Sequence, residues 1–286
     1  MFKIKKILVP VDFSNISLTA LNYAGSIAEK VRAEIILLHV IESYEFNSSL
    51  KDLVNPTDIV MEAVNKKLRK IREENGKLWT VKITPKVVSG KIYKQITNTI
   101  NKEKIDLVVM GTHGASGISK LNKYFLGSNA YRSIHESSVP VLTIRKESQK
   151  FRMKSICLPL DITKDTKQKV ETAIDWAKMF GAKIQVVSVS TFLDEFVVSV
   201  GKLELQLRNV IDQIKDTGVE CEGKMLRHDS VVDQITQYVK KEKSDMLLIM
   251  TGRENLLNRF TLSSHAREVI EHSEIPVMSV APRKKK

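Results

Sequence analysis

At 286 residues the chain is long for one domain and comfortable for two. Its 42% hydrophobic and 28% charged content is that of a soluble globular protein, and no apolar run approaches the ~20 residues a membrane helix needs. The formal net charge of +13 divides as +9 over residues 1–147 and +4 over 148–286. Lys66, Lys67, Arg69, Lys70 and Arg72 gather on one predicted helix, and Arg283 to Lys286 form a basic tail. Such faces can attract nucleic acid or an acidic membrane. Without an aromatic single-strand platform, a recognition helix or a zinc finger, they read as solvated surface, with neither nucleic acid nor membrane as partner.

The N-terminus runs from Met1-Phe2-Lys3 directly into an apolar strand, which predicts no signal peptide. That strand, Lys6 to Val11, ends in Pro10-Val11-Asp12-Phe13-Ser14 and leads into a helix with apolar residues at Leu18, Leu21, Ala24, Ile27, Ala28 and Val31. A run of β-formers from Glu34 to Ile41 follows, of the kind buried on both faces in a parallel sheet. Residues 43–77 read as mostly helical, with Pro56 in the first turn. A strand (Val81 to Val88), a helix (Lys91 to Lys102) and a strand (Asp106 to Met110) come next. A glycine-rich loop and a helix from Asn129 to Glu136 follow, and Val139 to Ile144 closes the unit.

The order then repeats. Ser155-Ile156-Cys157-Leu158-Pro159-Leu160-Asp161 opens the second unit as Lys6 to Asp12 opens the first, and Val170, Ala173, Ile174 and Ala177 mark its first helix. Further strands are predicted over Lys183 to Val189, Glu220 to Leu226, Asp245 to Met250 and Ile275 to Val280, with a helix from Val231 to Lys241. Lys146 to Met153 is a charged connector, which places the boundary between domains 1–147 and 148–286. The fold class is α/β: two tandem doubly wound domains, each a five-stranded parallel sheet in the order 3-2-1-4-5 flanked by helices. Cys157 and Cys221 read as buried thiols of a reducing compartment, the cytoplasm. The apolar segment Phe192 to Leu207 predicts core packing, with an apolar ligand cavity as the sharper alternative.

One stretch organises the first domain: Gly111-Thr112-His113-Gly114-Ala115-Ser116-Gly117, followed ten residues later by Gly127-Ser128-Asn129. Glycines permit tight turns and close backbone approach to a ligand. A helix starting at Gly127-Ser128, with Ser128 as its cap, offers free N–H groups and a positive dipole end to a phosphate. A loop that only turns a corner is the alternative. In a doubly wound sheet Asp12, after strand one, and Gly111, after strand four, meet at the switch point where ligands bind. Neither a P-loop nor a Gly-x-Gly-x-x-Gly fingerprint is present. His113 is either a site residue or an ordinary loop histidine, and His39 reads as a satisfied core residue. No histidines or cysteines have metal-ligand spacing.

Val9-Pro10-Val11-Asp12-Phe13-Ser14, Leu37-Leu38-His39-Val40 and the glycine pattern before Gly127-Ser128 resemble the universal stress protein family, and the resemblance covers both halves. It implies sheets paired through their last strands and, in one subclass, an ATP site. The residues implied for ATP are Asp12 and Val40 at the adenosine end, and Gly111, Gly114, Gly127, Ser128 and Asn129 at the phosphates. Twelve residues separate Gly114 from Gly127 where the family has nine. Either three residues are inserted, or the frame slides and Gly117 takes a leading position. In the second half only Gly252 survives, Arg253 and Glu254 follow it, and Ser263-Ser264 replaces Gly-Ser, so one ATP per chain is expected. Magnesium would ride on the phosphates. No residue is placed as a catalytic base, which leaves at most a weak ATPase beside two other readings, a regulatory ATP-binding module and an interaction protein without nucleotide. The partners implied are the nucleotide, an internal pair of domains and a second copy of the chain; the protein partner stays open.

Overall fold

The computed structural model describes residues 3–42, 56–113, 126–146, 151–160, 166–190, 200–227, 230–251 and 264–282. In the first half these build β1 (Lys6–Pro10), α1 (Asn15–Val31), β2 (Glu34–Ile41), α2 (Pro56–Asn75), β3 (Ile83–Ser89), α3 (Ile92–Glu103), β4 (Leu107–Gly111), α4 (Ser128–Glu136) and β5 (Val141–Ile144). The second half repeats them as β6 (Ser155–Leu160), α5 (Thr166–Phe180), β7 (Lys183–Ser190), α6 (Val200–Lys215), β8 (Cys221–Arg227), α7 (Val231–Lys241), β9 (Met246–Met250), α8 (Ser264–His272) and β10 (Val277–Val280).

The strands form one ten-stranded sheet in the order β3-β2-β1-β4-β5-β10-β9-β6-β7-β8. Each half is parallel and wound 3-2-1-4-5, while β5 meets β10 antiparallel with Leu142 opposite Met278. The strand sequences explain why the sheet is covered on both sides. Successive residues point to opposite faces, so Ile7 and Val9 join one core with Ile35 and Leu37, whereas Leu8 joins the other with Ile36 and Leu38. Helices α1, α2, α5 and α6 pack on the first face, and α3, α4, α7 and α8 on the second.

Both halves tie the start of the central strand in the same way. Asp106 Oδ2 accepts the backbone N–H groups of Lys5 (2.7 Å) and Lys6 (2.9 Å), and Asp245 Oδ2 accepts those of Lys154 (2.7 Å) and Ser155 (3.0 Å). The closing strands are shorter than the sequence predicts. Ser137 Oγ donates to Val139 O (2.7 Å) and Ser273 Oγ to Ile275 O (2.9 Å), so these turns hold the chain until after Pro140 and Pro276.

The apolar segment of the second half divides differently from expectation. Leu203 and Leu207 are buried, but Leu205 is 60% exposed, and the described part of the segment packs into the core on one helix face. Phe192, Leu193, Phe196, Val197 and Val198 lie outside the described residues. Both cysteines are free and buried. Among the described residues no helix is long and apolar enough to cross a membrane.

Candidate functional site

The carboxyl ends of β1 and β4 lie side by side, because β1 pairs with β4 as well as β2. Winding reverses there, which leaves a crevice above the strand ends. On the β1 side, Asp12 Oδ1 accepts the N–H (3.1 Å) and the hydroxyl (2.6 Å) of Ser14. Ser14 caps α1 by accepting from Ser17 N–H at 3.2 Å. Asp12 therefore shapes the turn into α1, and this turn holds its carboxylate at the crevice.

Between Asp12 and Ser14 the backbone passes through a left-handed conformation at Phe13, with φ at 67°. The ring of Phe13 stacks on His39 at 4.6 Å, and Lys67 Nζ sits 4.1 Å above its centroid. His39 is half-buried with Nδ1 2.7 Å from Val11 O, a satisfied residue as its sequence position suggests. Lys67 is exposed and lies over this ring. Val40 follows on β2, half-buried and in register with Val88.

On the β4 side, Gly111 ends the strand opposite Ile144. A Cβ at Gly111 would come within 2.6 Å of Ile16 Cγ2, so glycine lets α1 approach the strand end. Thr112 N–H donates to Ile144 O at 3.0 Å, and Thr112 O accepts Gly127 N–H at 2.9 Å. These two bonds bring the start of α4 beside the β4 turn. A Cβ on Gly127 would stand 3.3 Å from Thr112 O, a tight contact at a second glycine.

The helix start differs from the sequence reading. Gly127, not Ser128, is the N-cap, and Ser128 is already the first helical residue. The bond from Gly127 N–H to Thr112 O fixes the extended conformation one residue earlier. Among the described residues no side chain makes a cap hydrogen bond at the start of α4. Its first-turn N–H groups, at Ser128 and Asn129, thus have no side-chain acceptor among the described residues and carry the positive end of the helix dipole. Ser128 is exposed and Asn129 half-buried at this opening.

His113 is half-buried, with Nδ1 3.1 Å from Thr112 Oγ1. Burial holds its pKa below the ordinary histidine value, the Arg145 guanidinium adds to this, and the Asp12 carboxylate opposes it. Asp12, His113 and Arg145 therefore share one electrostatic neighbourhood. Of the sequence-predicted residues, Asp12, Val40, Gly111, Gly127, Ser128 and Asn129 border the strand ends. Gly114 and Gly117 lie outside the described residues, as do Asp161, Gly252, Arg253, Glu254 and Ser263 in the second half. Sequence reasoning missed Phe13, Thr112, Lys67 and Arg145 as neighbours of the crevice. Phe13 and Thr112 adjoin predicted residues, but nothing local marks Lys67 or Arg145. Among the described residues no group of three histidine, cysteine or carboxylate side chains is placed to hold a metal.

A repeated, doubly wound α/β unit with a glycine turn at its switch point defines a class of α/β proteins whose strand ends form a crevice. The chain belongs to the universal stress protein family, whose pattern it matches twice, over residues 3–145 and 153–281. It is 32% identical over 149 residues to Universal stress protein MJ0531 of Methanocaldococcus jannaschii, an alignment covering 50% of this chain and 82% of that protein. Universal stress protein MJ0577 of the same organism is 28% identical over 163 residues, covering 50% of this chain and 96% of its own. The crystal structure of a universal stress protein from Archaeoglobus fulgidus shares the fold over 100% of this chain and 99% of its own, with a TM-score of 0.76 and 21% identity.

Proposed function

We propose that this protein is a regulatory module that binds one ATP in its first half, residues 1–147, and that residues 148–286 form a structural counterpart without a complete site. The observation that carries this reading is the start of α4. It is locked to the β4 turn by the bond from Gly127 N–H to Thr112 O, and among the described residues it has no side-chain cap. An anion satisfies such amides at little cost, since they are already ordered and no side chain must leave. Glycine at 111 and 127 fits the same requirement, because a Cβ at either would crowd the turn that presents the amides.

The amides of Ser128 and Asn129 and the Ser128 hydroxyl hold phosphate in this reading. Gly114 is assigned to the phosphate end as well, with Gly117 in the leading position if the frame slides. Asp12, fixed by Ser14, and Val40, at the edge of β2, hold the adenosine end. Any magnesium is carried by the phosphates. The protein works by occupancy, changing shape or partners as ATP comes and goes in the cytoplasm, and a second copy of the chain is one such partner.

The test is the small molecule released when the purified protein is denatured in acid. An adenine absorbance spectrum with the mass of an adenine nucleotide is the expected result. Gly127→Val should then release none, because its side chain meets Thr112 O. Equal nucleotide content in Gly127→Val and wild type would place the ligand elsewhere.

A further inference from the structure

A lysine ammonium is costly to enclose, yet Lys169 of α5 is enclosed, with only 3% of the residue exposed. The repeat fixes its counterpart. Lys169 lies ten residues after Pro159, as Ala20 lies ten after Pro10. The two helices also close alike. Arg32 and Gly181 take left-handed φ values of 57° and 68°, and Ala33 N–H and Ala182 N–H donate to Ala28 O and Ala177 O, each at 2.9 Å. The intervals are equal, so Lys169 stands where the first half has the buried Ala20.

Lys169 faces the sheet, because it shares a stripe of α5 with Thr172, Ala173 and Trp176, all buried and at helical spacing. A long helical side chain leans toward the N-terminus of its helix, which for α5 lies past the carboxyl end of β6. Winding reverses there, between β6 and β9, as it does between β1 and β4. The chain of Lys169 is thus directed at the switch point of its own half. The opposite wall has changed in the same sense. Thr251 N–H donates to Val280 O at 2.9 Å as Thr112 N–H donates to Ile144 O at 3.0 Å, which sets Met250 in the place of Gly111. Two small residues, Gly111 and Ala20, are answered by two long buried ones, Met250 and Lys169. Gln168 closes the rim beside them. Its Nε2 donates to Ala281 O at 3.0 Å and ties α5 to the chain after β10, whereas its counterpart Thr19 bonds Asn15 O of its own helix. Lys169 is itself engaged by its surroundings, as a buried cation must be.

We propose that Lys169 is the built-in occupant of the second-half crevice: its butylammonium chain fills the space that the first half keeps for a ligand, so this half holds one shape whether or not nucleotide is bound. This deepens, and rests on, the reading of residues 148–286 as a counterpart without a complete site. Removing the chain and supplying it from solution tests it. Full-length Lys169→Ala should melt about 5 °C or more below wild type, as an emptied interior position does in a chain of this size. n-Butylammonium chloride, which carries the missing group, should restore the midpoint saturably. Ammonium chloride at the same ionic strength should not, and neither salt should raise the midpoint of wild type. Val170→Ala, a truncation of the adjacent core residue, should lose stability without rescue.

An unchanged midpoint in Lys169→Ala would overturn the proposal, as would a loss that n-butylammonium leaves in place or repairs equally in Val170→Ala. Should Lys169→Ala fail to fold, acetylation of the native wild-type chain decides. Lys169 should then react at least about tenfold more slowly than Lys167 and Lys178, exposed on the same helix, and equal rates would overturn the proposal. The rescue is read without nucleotide, which keeps the two readings apart. If wild type binds no ATP, the nucleotide reading fails whatever the rescue shows; if one ATP binds and n-butylammonium restores nothing, this proposal fails alone.

Discussion

At His113 three influences converge on one imidazole, and their balance is measurable. Burial and the Arg145 charge disfavour the protonated ring, and Asp12 favours it less strongly. The native protein therefore releases this proton at lower pH than the unfolded chain, whose histidine titrates near 6.5. Between the depressed native value and 6.5 the unfolded state binds more proton. The His113 contribution to stability is thus present above pH 6.5 and lost as pH falls through the native value. NMR titration should place the His113 midpoint below 6.5 and move it upward in Arg145→Gln; an unmoved midpoint would remove Arg145 from this neighbourhood. Ser128 separates binding from stability in a similar way. Among the described residues its hydroxyl makes no cap bond, so Ser128→Ala should leave the melting temperature unchanged and weaken ATP by about tenfold. The thiols make a third residue-scale case. Cys157 is fully buried, which raises its pKa far above the ordinary value, and burial pushes Cys221 up to about 11. Neither should react with Ellman's reagent at pH 8 until the protein is unfolded.

At the scale of elements, α1 shows how a single glycine sets a packing distance. Gly25 faces Trp79, and a Cβ there would stand 2.4 Å from the indole ring. Gly25→Ala gains about 1 kcal/mol of helix propensity but must displace a rigid ring. Overpacking of this kind costs about 1–3 kcal/mol, so the variant should be destabilised overall in chemical denaturation, with an altered Trp fluorescence. The helix α1 itself was legible because Leu21, Ala24, Ile27 and Ala28 repeat at helical spacing, and all four are buried. The inner strands were legible because both sheet faces demand apolar residues along them, whereas the edge strands β3 and β8 carry polar residues and are only partly buried. Strand ends were not, since Ser137 and Ser273 delay β5 and β10 through side-chain bonds that propensity does not express. The cap of α4 was misplaced for a related reason. Serine is a better N-cap than glycine in isolation, but the long-range bond from Gly127 N–H to Thr112 O decides the register. In α6 leucines alternate with polar residues from Leu203 to Leu207, a spacing that does not mark one helix face, so Leu205 looked as buried as Leu203 and Leu207. Asp12 and Gly111 could be brought together from sequence because winding order alone fixes which strand ends are neighbours. Arg145 could not, because its nearness to Thr112 follows from strand register.

For the whole molecule, the repeat explains the architecture and its unequal halves. The seam is antiparallel and nearly symmetric: Thr143 lies opposite Val277, and Val141 opposite Ser279. Thr143 Oγ1 donates to Val277 O across it at 3.1 Å. On one side of the sheet Arg267 of α8 stands 5.4 Å from the ring of Tyr131 on α4. On the other, Phe151 from the connector packs between Tyr23 of α1 and Phe180 of α5, at 5.5 and 5.7 Å. The two halves are joined through backbone, cation–ring and aromatic contacts at once, so thermal unfolding should be a single transition whose midpoint rises with ATP. Two separated transitions, only one of them shifted by ATP, would show halves that unfold independently. The central claim is that the first half alone carries the nucleotide. Calorimetric titration of the intact chain with ATP measures this most directly. The account predicts one equivalent per chain, abolished by Gly127→Val; two equivalents, or one that survives Gly127→Val, would contradict it.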